Sequence, residues 1–306
     1  MGTPEFSVPA LQHLALQDDF TVCLVVTQPD RPKGRGKKLM PSPVKQAALE
    51  LGIEVFQPEK INTAEAAEKI LSLEPDFFVV AAFGQILSQK ILDIPRIYPI
   101  NIHASLLPKY RGPSPIQAAI LNMDDLTGVT TMVMEKDMDK GDILLSKATP
   151  VSENDTAEDL YERLGEIGAD LIVGTIHAIL NKECFPIPQD HSKANYVKML
   201  KKSDGRINWN LSSRQIQAHI NAMMPWPGAF SSLSGTPIKI FKAISMEPPC
   251  LFDAGIIFLC DKKGIHVSTG KGSLIIQELM GASGKRLKAG DFLCGHPIIP
   301  PLKFDF

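Results

Sequence analysis

Short apolar runs alternate with amphipathic stretches through residues 1–180, an order that predicts a parallel sheet covered by helices. Residues 20–26 read as a strand. Ser42 followed by Pro43 then opens a helix through residue 51, with the hydroxyl at the N-cap and the proline in the first turn. Residues 53–56 predict a short strand, Thr63 caps a helix through residue 73, and residues 76–83, rich in Val and Phe, read as a strand buried on both faces. Residues 98–103 are the next strand. After a loop, residues 115–121 predict a helix, 128–135 and 143–149 strands, and 156–180 a long helix. An open α/β domain ordinarily begins with a strand that feeds its first helix, yet here the loop at Gly2, Thr3 and Pro4 and the helical pattern over residues 6–16 come first. A strand is therefore expected to be missing from the sheet.

From residue 181 the texture changes. Residues 181–203 hold Pro186, Pro188, many charges and little periodicity, as a linker does. Short apolar runs then recur at 238–243, 255–260, 265–268 and 273–279, separated by Gly, Pro, Asp and Lys clusters, and predict a small β-barrel. The expected organisation is a catalytic domain over residues 1–182, a linker over 183–203 and a barrel domain over 204–306. The fold class follows: a Rossmann-like open, mostly parallel α/β sheet with helices on both faces, joined to a C-terminal β-barrel of the OB type. No internal repeat or low-complexity tract interrupts this order.

Composition changes the picture little and charge changes it more. A chain of 306 residues, 44% hydrophobic and 22% charged, excludes wholesale disorder, collagen-like repetition and coiled-coil rods. The densest apolar run, residues 77–83, has the length of a strand rather than the ~18 residues of a membrane span, so a soluble protein is expected. The first residues carry no export signal, and the five cysteines include no Cys-x-x-Cys pair, which fits the reducing cytoplasm. The net charge of −2 conceals an asymmetry, because residues 201–306 hold 13 Lys and Arg against 7 Asp and Glu. A basic C-terminal module beside an acidic larger one suits a polyanionic partner.

Asn101 and His103 end the strand at 98–103, and residues two apart share a face about 6.6 Å apart, so an amide and an imidazole can address one reacting centre. Open α/β sheets hold their sites at such strand ends. Ser105, Leu106, Leu107, Pro108, Lys109, Tyr110, Arg111 and Gly112 follow at once, a loop of apolar, hydroxyl and cationic groups with two turn formers. Asp137, Asp139 and Asp142 lie around Gly141, which permits a tight turn; the spacing imitates part of a calcium loop, but the other ligand positions are absent, and no metal is expected. Residues 28–45 carry Arg31, Lys33, Arg35, Lys37, Lys38 and Lys45 against Asp30 alone, with Gly34 and Gly36 between them. Such density suggests an arm that tracks phosphates and orders on binding.

Together, the run from Asn101 to Gly112 and the later Asp139, Lys140, Gly141, Asp142 and Ile143 resemble the folate-dependent formyltransferases. The resemblance implies Asn101, His103 and Asp139 as the catalytic set. It implies a folate slot at Phe83, Gly84, Gln85, Ile86 and Leu87, holding the pterin through backbone contacts, with Ser105, Leu106, Leu107 and Pro108 alongside. Residues 28–45, Gly2-Thr3-Pro4-Glu5-Phe6 and Pro225-Trp226-Pro227 are similar to the members that act on charged initiator tRNA. For those members the basic loop, here Arg31, Lys33, Arg35, Lys37 and Lys38, is the RNA-binding element. The expectation is an enzyme, monomeric and with no tightly bound cofactor. It transfers a formyl group from 10-formyltetrahydrofolate, as cosubstrate, to methionine on initiator methionyl-tRNA for translation initiation. Two other readings stand beside it: formylation of a small amine, such as glycinamide ribonucleotide or an amino sugar nucleotide, and a tRNA-binding module without catalysis.

An amine attacking a formyl carbon needs no protein nucleophile, so the protein must stabilise an oxyanion and move protons. Asn101 can donate from its amide. His103 can donate to the same oxygen or exchange a proton with the departing folate nitrogen, and Asp139 can hold the imidazole or take the amine proton through water.

Overall fold

The computed structural model describes residues 1–33, 38–247 and 252–305. Two compact units divide the chain: Met1–Pro115, Leu126–Thr149 and Tyr161–Val197 form the first, and Ile116–Asp125, Pro150–Leu160 and Lys198–Phe306 the second. No helix among the described residues is long and apolar enough to cross a membrane.

In the first unit a 3-10 turn leads into α1 (Val8–Ala15), followed by β1 (Val25–Val26) and a hairpin of β2 (Arg31–Lys33) and β3 (Lys38–Met40). Then come α2 (Pro43–Glu50), β4 (Val55–Phe56), α3 (Ala64–Leu71), β5 (Phe77–Val80), α4 (Gln89–Leu92) and β6 (Tyr98–His103). Next in the chain come α5 (Pro115–Leu121), which past Pro115 belongs to the second unit, then β7 (Leu126–Val133), β8 (Ile143–Pro150) and the long α6 (Ala157–Leu180), which lies in the first unit from Tyr161 on. The helix starts follow local chemistry. Ser42 accepts a hydrogen bond from the Lys45 N–H with Pro43 at the first position, and Thr63 accepts one from the Ala66 N–H.

The sheet has parallel β1–β4 and β5–β6 pairs, and β6 pairs antiparallel with β7 in the order β5-β6-β7-β8. Helices cover both faces, as two adjacent residues of β1 show. Val25 packs with Leu11 of α1 and Val44, Ala47 and Ala48 of α2, whereas Val26 packs with Ala66 and Ile70 of α3 and Ile91 and Leu92 of α4. Successive strand residues point to opposite faces, so the two helix pairs lie on opposite sides.

Between β1 and β5 stand Met1 and Gly2. Gly2 donates its N–H to the Val26 carbonyl at 3.0 Å and Ala81 donates to the Met1 carbonyl at 2.9 Å, so these residues span the two halves like the end of a strand. Behind them opens a cavity of about 430 Å³ between residues 20–25 and residues 73–77. This gap corrects two expectations. The strand read over residues 20–26 is laddered only at Val25–Val26, because residues 20–24 face the cavity and not a neighbouring strand. The strand read over 76–83 spans Phe77–Val80 and alternates: Phe78 and Val80 are buried, while Phe77 and Val79 line the cavity and are half-buried.

In the second unit α7 (Ser213–Ala222) starts with a capping box in which Ser212 and Gln215 satisfy each other's backbone N–H groups. The strands are β9 (Ala229–Leu233), β10 (Thr236–Met246), β11 (Ile256–Asp261), β12 (Gly264–Ser268), β13 (Ser273–Met280), β14 (Leu287–Lys288) and, after α8 (Ala289–Gly295), β15 (Leu302–Asp305). The order β10-β9-β15-β11-β12-β13 closes because β13 also pairs with β10, giving a six-stranded barrel. Inward residues fill it: Ile240, Ile257, Ile265, Val267, Leu274 and Ile276 are buried. Fully buried Trp209 stacks on Phe304 at 4.8 Å and donates its indole N–H to Ser231 Oγ at 3.0 Å.

Candidate active site

The loops after β5 and β6 leave the same edge of the sheet, since Val80 pairs with Asn101 in parallel register. The loop after β1 joins them there: Gln28 Nε2 donates to the Phe83 carbonyl at 3.3 Å and Thr3 Oγ1 donates to it at 2.9 Å.

Asn101 is half-buried, and its side-chain amide bonds to none of the described residues, which leaves it free to donate. His103 shares its strand face but is buried. His103 Nε2 lies 3.0 Å from the Tyr110 carbonyl. A carbonyl only accepts, so Nε2 carries a proton, and in the neutral imidazole Nδ1 presents a lone pair. That Nδ1 stands 3.7 Å from Asp139 Oδ1, an ion-pair distance longer than a hydrogen bond. A proton arriving at Nδ1 is thus stabilised by a carboxylate on one side while Nε2 stays anchored on the other.

Asp139 is held independently of the histidine. Its Oδ2 accepts the Gly112 N–H at 2.7 Å, and its backbone lies at φ +55°, a left-handed conformation that Asp tolerates better than most residues. The turn beyond it requires Gly141, because a Cβ there would meet the Val133 carbonyl oxygen at 1.9 Å.

The segment after α6 completes this arrangement. Gln189 Nε2 donates to the carbonyls of Asp139 and Gly141 at 2.9 and 2.7 Å, while its Oε1 accepts two N–H groups of Arg111 at 3.1 and 2.7 Å. Arg111 is buried and also donates to Tyr196 Oη and His191 Nδ1 at 3.1 and 2.9 Å. Asn195 binds the backbone of both Tyr110 and Arg111. Sequence reasoning missed Gln189, His191, Asn195 and Tyr196, which lie in the stretch read as a linker. Their only local signal was the density of polar and aromatic residues in it.

The residues expected for folate divide. Ile86 is exposed and Gly84 takes φ +84°, but the Phe83 and Leu87 side chains belong to the core beside α3 and α4. Gln85 bonds the Ile61 N–H and the carbonyls of Pro58 and Glu59, which fixes the loop. Ser105 is buried and donates to the Lys109 carbonyl at 2.6 Å; Leu107 donates its N–H to Thr130 Oγ1 at 3.1 Å, and Leu106 packs over Gly128. Leu107 is buried and Pro108 half-buried.

In the basic segment β2 and β3 pair Arg31 with Met40 and Lys33 with Lys38. Arg35 and Lys37 lie outside the described residues, as do the side chains of Lys33 and Lys38. Arg31 stands 3.8 Å from Glu59, and Lys45 is neutralised by Asp30 at 2.8 Å, with Gln57 on the same carboxylate. These bonds hold the Asp30 carboxyl below its usual range, Gln57 contributing most and then Lys45.

A parallel α/β sheet with an amide, an imidazole and a carboxylate at one edge, followed by a barrel, matches a known family. Residues 1–176 match the model named Formyl transferase and residues 199–297 that named Formyl transferase, C-terminal domain, and the chain belongs to the formyl transferase family. Among its relatives it is 44% identical to the methionyl-tRNA formyltransferase of Citrifermentans bemidjiense over 300 residues, covering 98% of this chain and 93% of that protein. It is 43% identical to the methionyl-tRNA formyltransferase of Geobacter sulfurreducens over 301 residues, 98% of this chain and 94% of that protein. Among solved structures, the N-formyltransferase from Helicobacter canadensis, in complex with folinic acid and dTDP-3-aminofucose, shares the fold. Its TM-score is 0.68 at 23% identity, with 90% of this chain and 96% of that chain covered. HypX from Aquifex aeolicus, in complex with tetrahydrofolic acid, does so at a TM-score of 0.59 and 17% identity, covering 80% of this chain and 43% of that chain.

Proposed function

We propose that this enzyme transfers the formyl group of 10-formyltetrahydrofolate to the amino group of methionine esterified to initiator tRNA, supplying translation initiation in the cytoplasm. The observation that carries the reading is its identity of 43–44% with methionyl-tRNA formyltransferases over 98% of the chain. The site geometry supports the chemistry.

In the proposed reaction the neutral methionine amine attacks the formyl carbon, and the carbonyl oxygen takes up negative charge as the new C–N bond forms. The free amide of Asn101 donates to that oxygen, a contact that strengthens as charge develops. The attacking nitrogen must lose a proton, which His103 Nδ1 accepts with Asp139 stabilising the imidazolium, directly or through a water between them. Collapse of the intermediate breaks the bond to folate N10, and that nitrogen receives the proton. Products are formylmethionyl-tRNA and tetrahydrofolate, with atoms and charge balanced.

The loop Phe83, Gly84, Gln85, Ile86 and Leu87 and the run Ser105, Leu106, Leu107 and Pro108 flank the folate through backbone atoms in this reading. Arg31, Lys33, Arg35, Lys37 and Lys38 contact the RNA end, and the barrel of residues 204–306 holds the body of the tRNA. The enzyme acts as a monomer.

The decisive experiment incubates the purified protein with charged initiator tRNA and labelled formyl donor, then hydrolyses the ester. Labelled N-formylmethionine is the expected product. Transfer to glycinamide ribonucleotide or to an amino sugar nucleotide, with none to charged tRNA, would replace this reading with the small-amine one.

A further inference from the structure

His103 and Asp139 do not hold each other: Asp139 Oδ1 stands 3.7 Å from His103 Nδ1, and Asp139 sits in a left-handed turn at φ +55°. Their separation is set by what grips each of them, and residues 110–112 grip both. The Tyr110 carbonyl anchors His103 Nε2 at 3.0 Å, and the Gly112 N–H binds Asp139 Oδ2 at 2.7 Å. Between them, Arg111 reaches the backbone of Asp139 through one side chain. Its Nε and Nη2 donate to Gln189 Oε1 at 3.1 and 2.7 Å, and Gln189 Nε2 donates to the Asp139 and Gly141 carbonyls at 2.9 and 2.7 Å. A guanidinium only donates, so Arg111 decides which end of the Gln189 amide faces it. With the amide reversed, an oxygen would face two carbonyl oxygens and an NH2 group would face a cation.

Packing alone does not account for Arg111. It is 1% exposed, and its other donors go to Tyr196 Oη at 3.1 Å and His191 Nδ1 at 2.9 Å, so every acceptor around the guanidinium is neutral. A cation buried without an anion is costly, and an apolar side chain would stabilise a merely structural site better. We propose that Arg111 is a positioning residue for formyl transfer: acting through Gln189 on the turn at Asp139 and Gly141, it sets the separation between the Asp139 carboxylate and the His103 imidazole. The inference rests on the reading of His103 and Asp139 as the groups that manage the proton and deepens it. A role in folding alone would cost the same whatever stands at position 139, whereas positioning matters to turnover only while Asp139 carries a carboxylate.

The full chain is compared with Arg111→Lys, Asp139→Asn and the double variant in steady-state formyl transfer to charged initiator tRNA. Lysine keeps the buried charge but loses the planar fork that holds Gln189 Oε1 twice. Arg111→Lys should lower kcat by about tenfold to a hundredfold, the effect of a small misplacement, with KM for tRNA and for the formyl donor within about twofold of the parent. In the Asp139→Asn background the same substitution should change kcat by less than about twofold, because the group it positions is gone. Gln189→Glu tests the link with Arg111 in place: its carboxylate still accepts from Arg111 but cannot donate to the two carbonyls, so kcat should fall as in Arg111→Lys, again with no further loss when Asp139→Asn is added. Should Arg111→Lys fail to fold, this second pair decides.

Losses that multiply in the double variants, or a parent-like kcat in folded Arg111→Lys or Gln189→Glu, would overturn the proposal. NMR of the protein labelled with [15N]histidine reads the same geometry without turnover. The His103 ring signals, identified by their loss in His103→Ala, should move in Arg111→Lys, where the local charge is unchanged; signals that stay in place would also overturn it. If they move but the parent passes no formyl group to charged tRNA, the positioning stands and the functional reading fails. If they stay while the parent formylates charged tRNA, the functional reading stands and the positioning fails.

Discussion

Lengthening the chain ahead of Met1 by four apolar β-formers, such as Val-Ile-Val-Ile, is expected to raise its melting temperature and to flatten its response to pH. The Met1 amine donates to the Val79 carbonyl at 2.6 Å in a buried position, and burial pushes its pKa from 8.0 down to about 5. Between those values the unfolded chain binds a proton that the folded chain does not, so stability falls as pH drops from 8 to 5 and is fully present above 8. One pKa unit is worth ~1.4 kcal/mol, which makes the loss about 1.4 kcal/mol at pH 7 and nearly ~4 at pH 5. An extension turns the amine into an amide and removes this term.

The added residues would also enter the 430 Å³ cavity between β1 and β5. Four Val or Ile side chains buried there contribute roughly 6–12 kcal/mol, against about 4–8 for ordering their backbone. At the midpoints of these ranges the net gain at pH 7, amine included, is about 4 kcal/mol, or roughly 10 °C in the first melting transition. Melting both proteins by circular dichroism from pH 5 to 9 provides the assay. Equal melting temperatures with the same pH dependence would refute the claim that this cavity accepts a strand.

Three further outcomes are expected. Asn101→Ala and His103→Ala should each lower turnover a hundredfold or more, since one lost oxyanion donor costs ~2.7–4 kcal/mol, and Asp139→Asn should match them while keeping the left-handed turn; near-normal turnover in folded His103→Ala would sink the assignment. Gln189→Leu should change kcat more than the KM for either substrate, because it frees the carbonyls of Asp139 and Gly141 and takes one acceptor from buried Arg111, while Gln189 itself bonds to none of residues 83–87 and 105–108; steady-state kinetics of the folded variant check this, and an unchanged kcat would refute it. Arg35→Ala should weaken tRNA use, leave folate binding intact and reduce the salt slope by ~0.7 if the residue meets a phosphate; unchanged tRNA kinetics at every salt concentration would remove the loop from the RNA site.

Much of this protein was legible locally. Tyr98–His103 and Pro115–Leu121 form over the expected residues, and the hydroxyls of Ser42 and Thr63 cap the helices that follow them, because capping and side-chain periodicity act over a few residues. The i, i+2 spacing placed Asn101 and His103 on one face for the same reason. Tertiary structure decided what depends on distant partners. Only two residues of the run 20–26 became strand, since a ladder needs a neighbour, and β9 and β15 were recognisable only once a barrel had to close around Trp209 and Phe304. Asp139 and Gly112, 27 residues apart, and Arg111 and Gln189, 78 apart, are bonded by the path of the chain, and short-range periodicity carries no information about which distant polar groups will satisfy each other when buried.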